Sequence, residues 1–185
     1  MARELKDTNA VIVGPQFNPP IFTQTWVAGQ LVVPDEDFEP LGMVYSPILA
    51  NYPTREFSLL VLPGRLQFTP RVEQQREGRF VRDKIDRILN SVAHGPFAAI
   101  GLNLVWALRS EGQANNAVTQ KLFFSETHWL SREFAAPDAC FGAYCSKDCF
   151  GFRLKLDIRP VTEVTPGQGG DHVLFNFNYH QDLSG

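Results

Sequence analysis

The stretch "FGFRLKLDIRP", residues 150–160, alternates strictly between apolar and polar side chains. Phe150, Phe152, Leu154, Leu156 and Ile158 fall on one face. Gly151, Arg153, Lys155, Asp157 and Arg159 fall on the other. Successive side chains of a strand point to opposite sides of its sheet, so this pattern predicts a strand with one dry and one wet face. Such strands belong to antiparallel sheets, because parallel ones are covered on both sides. Pro160 lacks the N–H needed to continue a ladder and is expected to stop the strand.

Working outward, "PFAAIGLNLVWALRS" (96–110) shows the same period. Ile100, Leu102, Leu104, Trp106 and Leu108 alternate with Gly101, Asn103, Val105 and Ala107. "HVLFNFNYH" (172–180) sets Val173, Phe175, Phe177 and Tyr179 against Leu174, Asn176, Asn178 and His180. "REFSLLVLPGRLQFTPRV" (55–72) reads as a hairpin around Pro63-Gly64. A Pro-Gly pair prefers a type II turn, whose twist fits a two-residue hairpin badly, so a loop of three or more residues is expected. Further strands are expected at 10–13, 21–33 and 43–51. Pro15, Pro19, Pro20, Pro34, Pro40, Pro47 and Pro53 crowd the first part of the chain, which predicts edge strands and extended connections, or an arm, over about 1–54.

Two helices interrupt the strands. In "GRFVRDKIDRILNSVAHGP" (78–96), Val81, Ile85, Ile88 and Val92 form one stripe, with Leu89 beside it. Arg79/Asp83, Arg82/Asp86 and Asp83/Arg87 support the opposite face at i,i+4, and Gly95-Pro96 is a stop signal. "ANNAVTQKLFF" (114–124) is the second helix, with an asparagine as its N-cap. The fold class is therefore α+β: a mainly antiparallel sheet of about six to eight strands, with two helices on one face. A strongly curled or barrel-like sheet is the main variant. At 185 residues the chain is expected to form a single domain, 1–185, with a core that needs no metal or disulfide.

Composition narrows the function classes. A net charge of −3 with both signs spread along the chain argues against nucleic acid. No apolar run approaches the roughly 20 residues of a membrane helix. The first residues, "MARELKDTNAVIVG", do not resemble a secretory signal, which makes the cytoplasm the expected location. Fifteen phenylalanines point to an aromatic-rich core or interface.

"DACFGAYCSKDCFGF" (138–152) holds all three cysteines. Its reading is two strands joined by a turn at Ser146, Lys147 and Asp148, so that Cys145 faces Cys149 across a hairpin and can oxidise to it. Cys140 lies five residues earlier, roughly 16 Å along a strand and on the other face. One ion cannot gather all three, so small buried or half-buried side chains are expected and no metal site. His94 is expected at a helix C-terminus. "SETHWLSREF" (125–134) places Glu126, His128, Trp129 and Glu133 together without H-E-x-x-H spacing, and Trp129 suggests packing or a partner contact. "PGQGGD" (166–171) lacks the lysine and helix of a phosphate loop and reads as a turn, and "GPQFNPP" (14–20) reads as a rigid extended loop.

No catalytic set emerges, and no cofactor is implied. The reading favours a non-catalytic domain that binds a protein partner or forms a homodimer. The alternative is a small-ligand-binding protein or enzyme whose pocket is lined by Asn103, Asn176, Asn178 and His180, joined by Arg153. In it His180 would act as acid or base and Asp182 would orient it.

Overall fold

The computed structural model describes residues 2–92, 96–109, 115–125, 127–136, 139–162 and 171–183. Along the chain run β1 (Ala2–Val13), α1 (Gln24–Leu31), β2 (Val44–Ser46), β3 (Leu49–Pro53), β4 (Phe57–Leu62), β5 (Arg65–Pro70), α2 (Gln74–Ser91) and β6 (Ala99–Arg109). Then follow α3 (Asn115–Phe123), α4 (Trp129–Glu133), β7 (Ala143–Cys149), β8 (Phe152–Thr162) and β9 (Asp171–Asp182). Single turns of 3-10 helix occupy Pro19–Ile21 and Asp35–Asp37. The fold is α+β. Its nine strands, counted among the described residues, form an open sheet in the order β2-β3-β4-β5-β1-β6-β9-β8-β7. The barrel variant is excluded, and β2 and β7 are the terminal strands. No helix among the described residues is long and apolar enough to cross a membrane.

The chain divides into two compact units. One comprises Thr8–Leu102 with His180–Gly185, and the other Met1–Asp7 with Asn103–Tyr179. In the first, β2 to β5 form an antiparallel meander, and β5 pairs with β1. Alternation holds here: Phe57, Leu59 and Val61 of β4 and Leu66 and Phe68 of β5 are buried, while their chain neighbours are not. The Phe57 and Phe68 rings stack at 4.9 Å, and Phe80 of α2 packs beside both. Ile85, Ile88 and Val92 are buried in the same core, with Val81 and Leu89 partly buried against it, so the expected stripe of α2 is its inner face. Trp106, Phe152 and Leu156, which the alternating pattern also marks as apolar-face residues, are only half-buried and lie in the other unit.

Several local expectations give way. Residues 21–33 are not a strand but contain α1. Thr23 caps it by accepting the Trp26 N–H at 3.1 Å, and Val27 and Leu31, one turn apart, are fully buried, as is Phe22 just before the helix. Residues 43–51 are two strands, β2 and β3, paired from Val44–Asn51 to Ser46–Leu49. The Pro63-Gly64 hairpin has a two-residue loop, because Leu62 pairs directly with Arg65. Gly64 takes a φ of 74°. Its N–H donates to the Phe17 carbonyl at 2.8 Å and its carbonyl accepts from the Gly14 N–H at 3.0 Å. The 14–17 segment thus holds a turn whose own twist would splay the strands. The expected 10–13 strand is the end of the longer β1, which lies inside the sheet between β5 and β6.

In the second unit, β7 and β8 form a hairpin from Ala143–Ile158 to Cys149–Phe152. Its turn is Phe150-Gly151, not Ser146 to Asp148. Both turn residues have positive φ, 53° and 81°, as a type I′ turn demands. The alternating pattern of 150–160 therefore begins at Phe152, and Phe150 is 90% exposed at the hairpin tip. Helix α3 packs along β8, while the asparagine cap expected for it falls on side chains outside the described residues.

Candidate functional site

The cysteines do not assemble. Cys145 is opposite Leu156 and Cys149 opposite Phe152. They sit four residues apart on one strand, about 13 Å along it, so they do not face each other across the hairpin. All three are free. Cys149 is half-buried, but Cys140 and Cys145 are exposed, contrary to the expectation of shielded side chains. Among the described residues, no group of three or more His, Cys, Asp or Glu side chains is placed to hold a metal ion.

Asn176, Asn178 and His180 of β9 bond to other side chains of the same chain. Asn178 donates through Nδ2 to Asn103 Oδ1 at 2.7 Å, and Asn176 donates to Asp157 Oδ2 at 3.4 Å, all within the Asn103–Tyr179 unit. His180 Nε2 lies 3.0 Å from Asp182 Oδ1, in the other unit. Arg153 leaves this row. On the β7–β8 hairpin it donates to Asp148 Oδ1 at 3.1 Å and to Ser146 Oγ.

His128 caps α4, its Nδ1 accepting the Leu130 N–H at 3.3 Å. Its ring stacks on Trp129 and meets Phe124, which packs against Phe141 at 5.3 Å. Trp129 remains 60% exposed, and Phe134, whose ring meets Phe141, is exposed too. His94, Glu126 and residues 166–170 of the glycine-rich segment lie outside the described residues. Along α2, Gln75, Arg76, Arg79, Phe80 and Asp83 line an open hollow of about 420 Å³. Arg76 there is 3.6 Å from Glu56.

Among the described residues, burial dominates the shifted acidity of two groups, Tyr52 and Lys84. Burial pushes the Tyr52 hydroxyl up to about 12, and it donates to the Phe22 carbonyl at 2.7 Å. Burial also lowers Lys84, opposed by the nearby Glu56 carboxylate. Its ammonium donates to the Leu31 carbonyl at the end of α1 and lies 5.7 Å and 5.3 Å from the centres of the Phe57 and Phe80 rings. It acts there as a helix C-terminal cation with aromatic contacts. Both groups tie helix ends to the core, which is a structural role.

The features that stand out as available are the two ends of the sheet. β7 is exposed at each of its five central residues, Tyr144 to Asp148, which covers both of its faces. β2 is exposed at Val44 and Tyr45. Comparison with protein-family models, with curated proteins and with solved structures yields no match.

Proposed function

We propose that this chain is a non-catalytic binding domain that takes up an extended segment of a partner protein on the free edge of β7. One observation carries the reading: β7 ends an open sheet, is seven residues long, and has both faces uncovered. A terminal strand presents a row of N–H and C=O groups that another strand can complete. Lys147 and Asp148 project to opposite sides of it and limit which strand can pair, since a like charge placed opposite either is repelled. Phe150 extends the same edge as an aromatic anchor. It is a non-glycine residue held at a φ of 53°, and such backbone strain is found at sites of function.

A photo-crosslinking residue at Tyr144, installed in cells that make the protein naturally, tests this. The expected result is discrete crosslinked products from that position and none from the same probe at Arg82 on the solvent face of α2. Equal yields from the two positions, or none from Tyr144, would refute strand uptake at β7.

The alternative, a ligand-binding or catalytic role for His180, draws support from the 3.0 Å contact that lets Asp182 orient it. It predicts small-molecule binders that shift the NMR signals of the His180 ring. A screen whose hits leave these signals unmoved removes it.

A further inference from the structure

The opposite end of the sheet has a different chemistry. From Pro40 to Thr54 the chain contains no charged side chain, and this stretch supplies the whole of β2 and β3. Natural edge strands usually carry charge that limits what can pair with them, as β7 carries Lys147 and Asp148. β2 carries none. Instead, Leu41 is 94% exposed, Ile48 71% and Tyr45 54%, with Val44 exposed beside them. The Tyr45 hydroxyl donates to the Pro20 carbonyl at 2.9 Å, which brings the exposed Ile21 alongside. These side chains give one sheet end an uncharged, largely apolar border.

We infer that this border is a self-interface: the β2 edges of two copies pair antiparallel about a two-fold axis. The occupant follows from charge and area. A strand that meets this edge must bring apolar side chains and no unpaired charge, and the same edge of a second copy meets both conditions. A two-fold axis sets each residue against its own kind or its near neighbours, and here none of them repels. The exposed parts of Ile21, Leu41, Val44, Tyr45 and Ile48 set a ceiling of about 600 Å² per copy, so a pair that covered all of it would reach about 1,200 Å², the low end of the range for stable interfaces. Pro40 and Pro47 flank the strand and confine pairing to the segment between them. The association therefore stops at two copies along this edge rather than spreading along the chain. This inference is independent of strand uptake at β7, since the two strands lie at opposite ends of the sheet.

Light scattering over a dilution series from about 100 µM to 1 µM tests it, a range that brackets micromolar self-association. The wild-type chain is expected to give twice its 20.8 kDa mass at the upper end and to approach one chain on dilution. L41K and I48K place a charge on side chains that already face solvent, so both should fold with an unchanged far-UV spectrum and Tm. Each should weaken dimerisation at least tenfold, and the pair together should give monomer throughout. K147E at β7 should leave the dimer intact. A wild-type monomer at 100 µM overturns the inference, and so does a dimer that survives L41K/I48K. A dimer lost in K147E but kept in L41K/I48K would move self-association to β7.

Discussion

Replacing Phe150 with asparagine separates the stability of the β7–β8 hairpin from its use. Phe150 occupies the first position of a two-residue turn at a φ of 53°, followed by Gly151 at 81°. For an ordinary L-residue the left-handed region costs about 1–2 kcal/mol, because Cβ crowds the following carbonyl. Asparagine tolerates the region, and Asn-Gly is the preferred pair for a type I′ turn. With the ring 90% exposed, its removal sacrifices little burial. F150N should therefore raise stability by about 1 kcal/mol. With a urea m-value of about 2 kcal/mol/M, the midpoint should rise by about 0.5 M at constant m. The same substitution removes the proposed anchor, so crosslinking from Tyr144 should fall as stability rises. A lower midpoint would show that the Phe150 ring is packed rather than presented. A higher midpoint with undiminished crosslinking would show that the strain serves no contact.

Ile85→Ala in α2 should cost about 2–5 kcal/mol in urea unfolding, since Ile85 is buried in the core below the Phe80 turn; a loss under about 0.5 kcal/mol would mean that the helix face is misassigned. Tyr52 gives a pH signature. Its folded pKa of about 12 lies above the ordinary tyrosine value, so its contribution is complete below pH 10 and is lost as pH rises from 10 through 12, about 2–3 kcal/mol in all. Tyr52→Phe should flatten that alkaline decline, and an unchanged slope would assign it to other groups. Under mild oxidation no intrachain Cys145–Cys149 disulfide should form, because about 13 Å of strand separates residues that would need Cα atoms within about 7 Å; peptide mass mapping that finds this link would contradict the hairpin register.

How legible an element is in the sequence depends on how it is covered. β4, β5 and α2 have one buried and one less buried side, and β8 alternates half-buried with exposed residues from Phe152 to Leu156, so their apolar residues recur at the period of the backbone and mark them out. α1 escapes such a reading because its eight residues, Gln24–Leu31, are bounded by β-branched and aromatic residues that favour a strand. Its cap at Thr23 is the one sign of a helix there. The hairpin turns defy local reading for a different reason. Tertiary hydrogen bonds to Gly64 enforce a loop that local preference disfavours, and Phe150 accepts a conformation that Asn or Gly would adopt more readily. Neither is a property of the local residues. The polar row at Asn103, Asn176, Asn178 and His180 is visible as residues, but its pairings depend on which strands become neighbours.

The sheet edges are harder still, and for a reason that bears on function. A strand shows itself in sequence through contrast between its faces. β7 is uncovered on both, so "AYCSKDC" carries no period, and its closely spaced cysteines suggest a turn or a metal clip before they suggest a strand. The groups that would receive a partner strand are backbone N–H and C=O, which every sequence possesses. Side chains disclose an edge only through what they permit. A charge in mid-strand, as at Lys147, restricts pairing to selected strands, while its absence from Pro40 to Thr54 leaves pairing open to a like edge. An edge-binding protein therefore has no constellation of residues comparable to a catalytic set, and the place to look for its specificity is the pattern of charge along the terminal strands of its sheet.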